Sequence, residues 1–136
     1  MEQRSLPIDA VLGEPALDTA HGQTFAMLQT TLNLPDEQFA AAYGNVVDSI
    51  EVDFRYEEQL METFQCSDMA LHREQHARML AGLHHASAAL MQGDAQPAHQ
   101  ALRALVDWLP FHIVTQDRHL LRAARECGSA APTTAH

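Results

Sequence analysis

The stretch that decides the fold is residues 53–76, DFRYEEQLMETFQCSDMALHREQH. It ends in two histidines, His72 and His76, at positions i and i+4. On an α-helix these positions share one face, with Cβ atoms about 5–6 Å apart, so both rings can reach one metal ion. Asp53 and Glu57 repeat the offset with carboxylates one helix earlier. Two such helices are typical of two walls of a metal site in a helical bundle.

The composition is that of one globular domain, with 136 residues, 46% apolar and 19% charged. This balance lies outside the range of disordered chains. The 18 acidic residues against 8 basic ones give a formal charge of −10. A field of that sign repels phosphate backbones and anionic lipid. We therefore expect no nucleic acid and no membrane among the partners.

The cysteines and the N-terminus indicate a cytoplasmic protein. Cys66 and Cys127 lie far apart and form no CxxC motif, so they predict neither a disulfide framework nor a cysteine-based zinc site. The first residues have neither the basic start nor the apolar segment of a secretory signal. No apolar run approaches the length of about 18 residues that a membrane span needs.

Apolar periodicity and helix start and stop residues predict an all-α fold. After an extended arm (residues 1–17), Asp18 is expected to cap the first helix, and Ser67 or Asp68 the third. The predicted helices span residues 18–32, 35–64, 68–92 and 97–126. Because the loops between them are short, we predict an up-down-up-down antiparallel four-helix bundle over residues 18–127. Residues 128–136 are predicted to be a flexible tail or the start of an interdomain linker.

The fourth helix has two irregular features. Pro110 lacks an amide hydrogen and crowds the carbonyl of Val106. Asp117 stands five residues after His112, which is about 140° away on a straight α-helix. If both side chains point inward, the backbone must widen or bend between them.

Each predicted helix supplies a histidine or a carboxylate at one level of the bundle. A lone histidine in an apolar stripe, such as His21, is more often a core residue than a ligand, and carboxylates beside a stripe can simply face solvent. Four helices that contribute together favour a metal site, and mixed imidazole and carboxylate ligands suit iron above all. The candidate ligands are His21, Asp53, Glu57, His72, His76, His112 and Asp117.

These positions resemble the hemerythrin family, in particular bacterial hemerythrin domains, over residues 6–121. The unusual five-residue offset between His112 and Asp117 is the most specific part of the resemblance. The matching motifs are Gly13-x-Pro15, Leu17-Asp18-x-x-His21, Phe54-x-x-Glu57-Glu58-x-x-Met61, His72-x-x-x-His76 and Trp108-Leu109-x-x-His112-Ile113-x-x-x-Asp117.

The resemblance implies two non-heme iron ions with an oxo or hydroxo bridge. Glu57 and Asp117 would bridge the irons, and His21 would bind the iron at which the family attaches O₂. The terminal ligands of the other iron would be His72, His76 and His112. The residues that match the apolar pocket over the O₂ site are Trp108, Leu109 and Ile113.

Asp53 departs from the family, which has histidine at this position. Either the ligand is lost, with a degraded or mononuclear site, or Asp53 binds the iron instead. A third carboxylate would lower the formal charge of the core by one unit and favour the ferric state. O₂ should then oxidise the site readily, which suits a reversible carrier poorly.

Four functions follow from this reading. The first is a sensory domain that responds to O₂ or another small diatomic ligand and signals to a C-terminal output domain, such as a diguanylate cyclase or a chemotaxis receptor. The second is a reversible O₂ carrier or store. The third is an enzyme, for example a diiron ferroxidase or peroxidase. The fourth is a bundle without metal.

Overall fold

The computed structural model describes residues 4–66 and 69–130, with side chains up to residue 126. Within these ranges it is all-α, which confirms the predicted fold class, and none of the helices is both long and apolar enough to cross a membrane. After a short 3₁₀ turn (Ile8–Ala10), the elements are α1 (Pro15–Leu32), α2 (Asp36–Thr63), α3 (Ala70–Met91), α4 (Gln96–His112), a π-helical segment (Ile113–Asp117) and α5 (Arg118–Ala130).

Four rods form the bundle, because α4, the π-helical segment and α5 continue one another; together we call them the fourth rod. α1 and α3 each pack against both α2 and α4, which gives the closed arrangement of a four-helix bundle. The helix α5 continues to Ala130, so it includes the first residues of the predicted tail. The rest of that tail and the predicted caps Ser67 and Asp68 lie outside the described residues.

The prediction that Asp18 caps α1 was wrong. The helix begins at Pro15, and the cap is Glu14, whose Oε1 accepts a hydrogen bond from the Leu17 amide at 2.9 Å. Proline suits the first helical turn, because its missing amide hydrogen would have no partner there. Asp18 instead accepts hydrogen bonds from the amides of Leu12 and Gly13, at 2.8 and 3.0 Å. Its carboxylate therefore fastens the arm to the first turn of α1.

The core consists of one large apolar cluster and one small one on either side of a polar layer. In α2 the large cluster ends at Phe54, Glu57 follows, and Met61 belongs to the small cluster. The fourth rod repeats the order with Leu109, then His112 and Asp117, then Leu120. Helical periodicity in the sequence predicts one apolar stripe along α2. All of its members are buried: Phe39, Tyr43, Val46, Val47, Ile50, Phe54 and Met61.

The fourth rod widens where the sequence predicted it. Residues 113–117 form a π-helical segment, in which hydrogen bonds join residues five apart and bring such residues onto one face. His112 and Asp117 are consequently both buried, at 1% and 0% exposure. The helix α4 continues through Pro110, and the Val106 carbonyl, which this proline leaves without an amide donor, accepts a hydrogen bond from Arg4 Nη2 at 3.2 Å.

Candidate metal centre

Five buried side chains converge in the polar layer, and each offers a ligand atom within 4.8 Å of the others. Each residue is at most 1% exposed, so solvent does not compensate their charges. Imidazole nitrogens and carboxylate oxygens at this spacing can hold a metal ion such as iron or zinc. The five residues are Glu57 of α2, His72 and His76 of α3, and His112 and Asp117 of the fourth rod.

His21 of α1 approaches the same carboxylates from another direction. Its Nε2 lies 3.5 Å from Glu57 Oε2. The other oxygen of Glu57, Oε1, lies 3.3 Å from His72 Nε2 and 3.0 Å from His76 Nε2. The carboxylate of Glu57 therefore turns one oxygen towards the histidines of α3 and the other towards His21.

Asp117 has the same arrangement. Its Oδ1 lies 3.0 Å from His72 Nε2 and 3.2 Å from His112 Nε2. Its Oδ2 lies 3.1 Å from His21 Nε2. Both carboxylates thus lie between His21 and a group of three histidines, His72, His76 and His112, which we call the three-histidine group.

Hydrogen bonds at the outer nitrogens orient two rings of the three-histidine group. His76 Nδ1 lies 2.8 Å from Glu58 Oε2, and His112 Nδ1 lies 2.9 Å from Gln75 Oε1. Carboxylate and amide oxygens only accept hydrogen bonds, so each Nδ1 carries the hydrogen. In the neutral rings the lone pair is then at Nε2, which faces the centre, as metal-binding histidines require.

Several atoms that face the centre have no hydrogen-bond partner among the described residues. They include Nε2 of His21, His76 and His112 and both oxygens of Asp117. Leaving a buried polar group unpaired costs about 1–3 kcal/mol. Because these atoms lie close together and lack partners, a cation between them would be favourable. The residues present therefore fit a metal ion.

Charge interactions in the metal-free protein favour the protonated forms of His21, His72 and His112. Burial lowers the pKa of His21 and of His72, but the nearby carboxylates of Asp117 and Glu57 outweigh it and raise both pKa values to about 9. Burial alone would raise the pKa of Glu57, yet its histidine partners hold that pKa well below the ordinary value. Metal binding must therefore displace these protons.

Asp53 lies one helical turn before Glu57 and is half-buried. Its Oδ2 accepts a hydrogen bond from Thr24 Oγ1 at 2.7 Å. Burial raises the pKa of Asp53 to about 6, while the hydrogen bond from Thr24 opposes the rise. It is not one of the five converging residues. Its role as an iron ligand therefore stays a prediction.

One of the predicted pocket residues, Trp108, contacts the three-histidine group. Trp108 stacks on His112, with ring centroids 4.3 Å apart, and Phe54 stacks on His76 at 3.8 Å. Leu109 and Ile113 are buried, at 5% and 0% exposure. These contacts protect the three-histidine group from water. That the three predicted residues line a ligand pocket over the His21 side stays a prediction.

The sequence reasoning missed the polar neighbours that orient the candidate ligands. Gln75 precedes His76 in the sequence, but its side chain accepts a hydrogen bond from His112. This pairing depends on the register between α3 and α4. Thr24 follows His21 by three residues and therefore shares its helix face. That spacing was a usable signal for Thr24; for Gln75 the sequence contained none.

The chain is 24% identical to bacteriohemerythrin from Ralstonia nicotianae over 107 residues, which cover 79% of this chain and 78% of that protein. No family model matches the chain. No solved structure matches it significantly. Together with the buried cluster of histidines and carboxylates, the similarity supports a hemerythrin-like domain with a metal-binding site.

Proposed function

We propose that the chain is a hemerythrin-like domain that holds two non-heme iron ions and responds to O₂ or another small diatomic ligand. The observation that carries the proposal is the position of two carboxylates between His21 and the three-histidine group. The three-histidine group would hold one iron. His21 and Asp53 would hold the other, and Glu57 and Asp117 would bind both.

The irons, when bound, would supply the electrons and the open coordination position that O₂ needs. The protein groups around them have separate tasks. Glu58 and Gln75 hold the Nδ1 hydrogens of His76 and His112 and so keep each Nε2 free to bind metal. The stacked rings of Phe54 and Trp108 fix the planes of the same histidines and exclude water from them.

A sensory role is favoured over reversible O₂ transport because of Asp53. As a ligand it would add a third negative charge to those of Glu57 and Asp117, and a less positive centre favours the ferric state. The sensory domain would report oxidation to an output domain of the diguanylate cyclase or chemotaxis-receptor kind. The proposed location of such a protein is the cytoplasm.

The test begins with anaerobic loading of the chain with ferrous iron. Metal analysis should give two irons per chain, and one or none would contradict the proposal. His84 offers a matched control, because it is an exposed histidine that pairs with Glu51 outside the site. His84→Ala should keep both irons, whereas His72→Ala should lose iron.

Stopped-flow mixing of the reduced, loaded protein with O₂ then distinguishes the functions. Direct oxidation to the diferric state supports a sensor. Reversible O₂ uptake without net oxidation supports a carrier. Repeated turnover of ferrous iron or of peroxide supports an enzyme, and either of the last two outcomes contradicts the sensory assignment.

A further inference from the structure

A chain of three hydrogen-bonding groups joins α2 to α1 next to the metal centre. Thr24 Oγ1 lies 2.7 Å from Asp53 Oδ2 and 2.9 Å from Ser49 Oγ. A hydroxyl has one hydrogen, and an ionised carboxylate can only accept. Thr24 therefore donates to Asp53, and Ser49 donates to Thr24. The donated hydrogens therefore all run in one direction, from Ser49 through Thr24 to the carboxylate of Asp53.

The register of α1 and α2 places this chain beside the His21 side of the centre. Ser49, Asp53 and Glu57 follow one another at four-residue intervals and share one face of α2. On α1, His21 approaches Glu57, and Thr24 contacts Ser49 and Asp53. Asp53 therefore stands between the hydroxyl pair and the carboxylate that His21 approaches.

The surroundings of the hydroxyl pair differ from those of an ordinary core contact. Thr24 is only 2% exposed, so its hydroxyl needs a partner inside the protein. Between α1 and α2 lies a groove of about 490 Å³, lined by Ser49, Thr24 and Asp53 and by the polar residues Gln23, Asn45 and Asp48. Ser49, the outer end of these hydrogen bonds, therefore lies along a polar groove.

We propose that Thr24 and Ser49 are positioning residues, which hold Asp53 so that it binds the metal on the His21 side through one oxygen. Thr24 occupies Oδ2 and leaves Oδ1 for the metal. Its β-branched side chain restricts χ1, so the hydroxyl is held in place, and Ser49 keeps the hydrogen of Thr24 directed at Asp53. The inference rests on the proposed function, because it needs Asp53 to be a ligand.

The test uses Co²⁺ alone as the probe, since it accepts mixed nitrogen and oxygen ligands and its visible absorption reports its ligand geometry. Thr24→Val keeps the shape of the side chain and removes the hydroxyl. We expect it to bind the first Co²⁺ as the parent does and the second roughly tenfold more weakly, as is usual when a ligand loses its hydrogen-bond partner. The absorption of the second Co²⁺ should also change.

Two matched variants separate positioning from packing. Thr24→Ser retains the hydroxyl and should restore both the affinity and the absorption of the second Co²⁺. Thr31→Val makes the same substitution at another buried threonine of α1, two turns further along the helix, and should change neither. Ser49→Ala should weaken the second site in the same direction but less, and it serves as the test if Thr24→Val does not fold.

A double-mutant cycle with Asp53→Ala completes the test. In the Asp53→Ala background, Thr24→Val should have no further effect on the second Co²⁺. If its effect persists there, or if Thr24→Val alone binds both ions like the parent, the positioning role is wrong while the two-metal proposal stands. If the parent chain itself binds fewer than two Co²⁺, the proposed function fails, and the inference fails with it.

Discussion

Replacing Asp53 by histidine should make the reduced, iron-loaded protein harder to oxidise. The change removes one negative charge next to the iron that His21 would bind. Asp53 and Glu57 are i, i+4 neighbours on α2, which puts the charge about 5 Å from the carboxylate that would bridge the irons. At that distance and an effective dielectric constant of about 20, one unit charge contributes about 3 kcal/mol. For a one-electron step this equals a rise in potential on the order of 100 mV.

The assay is autoxidation of the anaerobically reduced protein after mixing with O₂. The pH should lie above the pKa of about 6 that burial gives Asp53 in the metal-free protein, so that the parent carries the negative charge. If half of the electrostatic energy reaches the transition state, Asp53→His should autoxidise roughly tenfold more slowly. If Asp53 binds the metal, its shorter reach would shift the metal or admit water and so offset part of the charge effect, but it would not cancel the charge of a directly bound carboxylate.

The control for this experiment is Asp48→His. Asp48 lies on α2 five residues before Asp53. It is exposed and lines the polar groove between α1 and α2. The substitution Asp48→His makes the same change in net charge as Asp53→His, but at a residue that is not a candidate ligand. If Asp53→His autoxidises as fast as the parent or faster, the charge argument is wrong and the sensory proposal loses its main physical support. An equal effect of Asp48→His would also refute it, since the effect would then come from net charge.

Four further predictions follow from the described contacts. Gln75→Leu removes the acceptor that orients a histidine of the three-histidine group, so it should weaken metal binding about 10–100-fold in a chelator competition, whereas Gln75→Glu should not. Because the pKa values of His21 and His72 are raised to about 9, metal loading at pH 7 should release protons, which calorimetry in buffers of different ionisation enthalpy measures. The stabilisation that these two histidines give the metal-free protein should be complete at about pH 6.5, the unfolded pKa of histidine, and should be lost as the pH rises through 9, which urea unfolding at a series of pH values measures. Tyr43→Phe removes the 2.8 Å hydrogen bond to the Leu83 carbonyl and should lower the free energy of unfolding in urea by about 1–2 kcal/mol.

The fold and the convergence of most candidate ligands could be predicted because they depend on spacing along single helices. The apolar stripe of α2 follows helical periodicity, and all of its predicted members are buried. The five-residue offset between His112 and Asp117 cannot bring both side chains inward on a regular α-helix, so it required the π-helical segment that the structure contains. Periodicity and its interruption were both readable in the sequence.

The start of α1 could not be predicted because two acidic residues compete there. Glu14 and Asp18 flank Pro15, and either carboxylate suits a helix N-terminus. Asp18 has its partners in the arm, at the amides of Leu12 and Gly13, and Gly13 provides the positive φ of 87° that turns the chain there. That choice depends on the path of the arm, which local propensity does not determine.

The two sides of the centre differ in their surroundings, and the difference bears on where a ligand would react. On one side, the stacked ring of Trp108 and the acceptor Gln75 hold His112 in a dry setting. On the other, the neighbouring Asp53 lies with Thr24 and Ser49 along a polar groove. A dry set of ligands resists exchange, whereas ligands beside a polar groove allow water or a diatomic ligand to exchange. We therefore expect exchange and oxidation to begin on the His21 side, where Asp53 would add its negative charge.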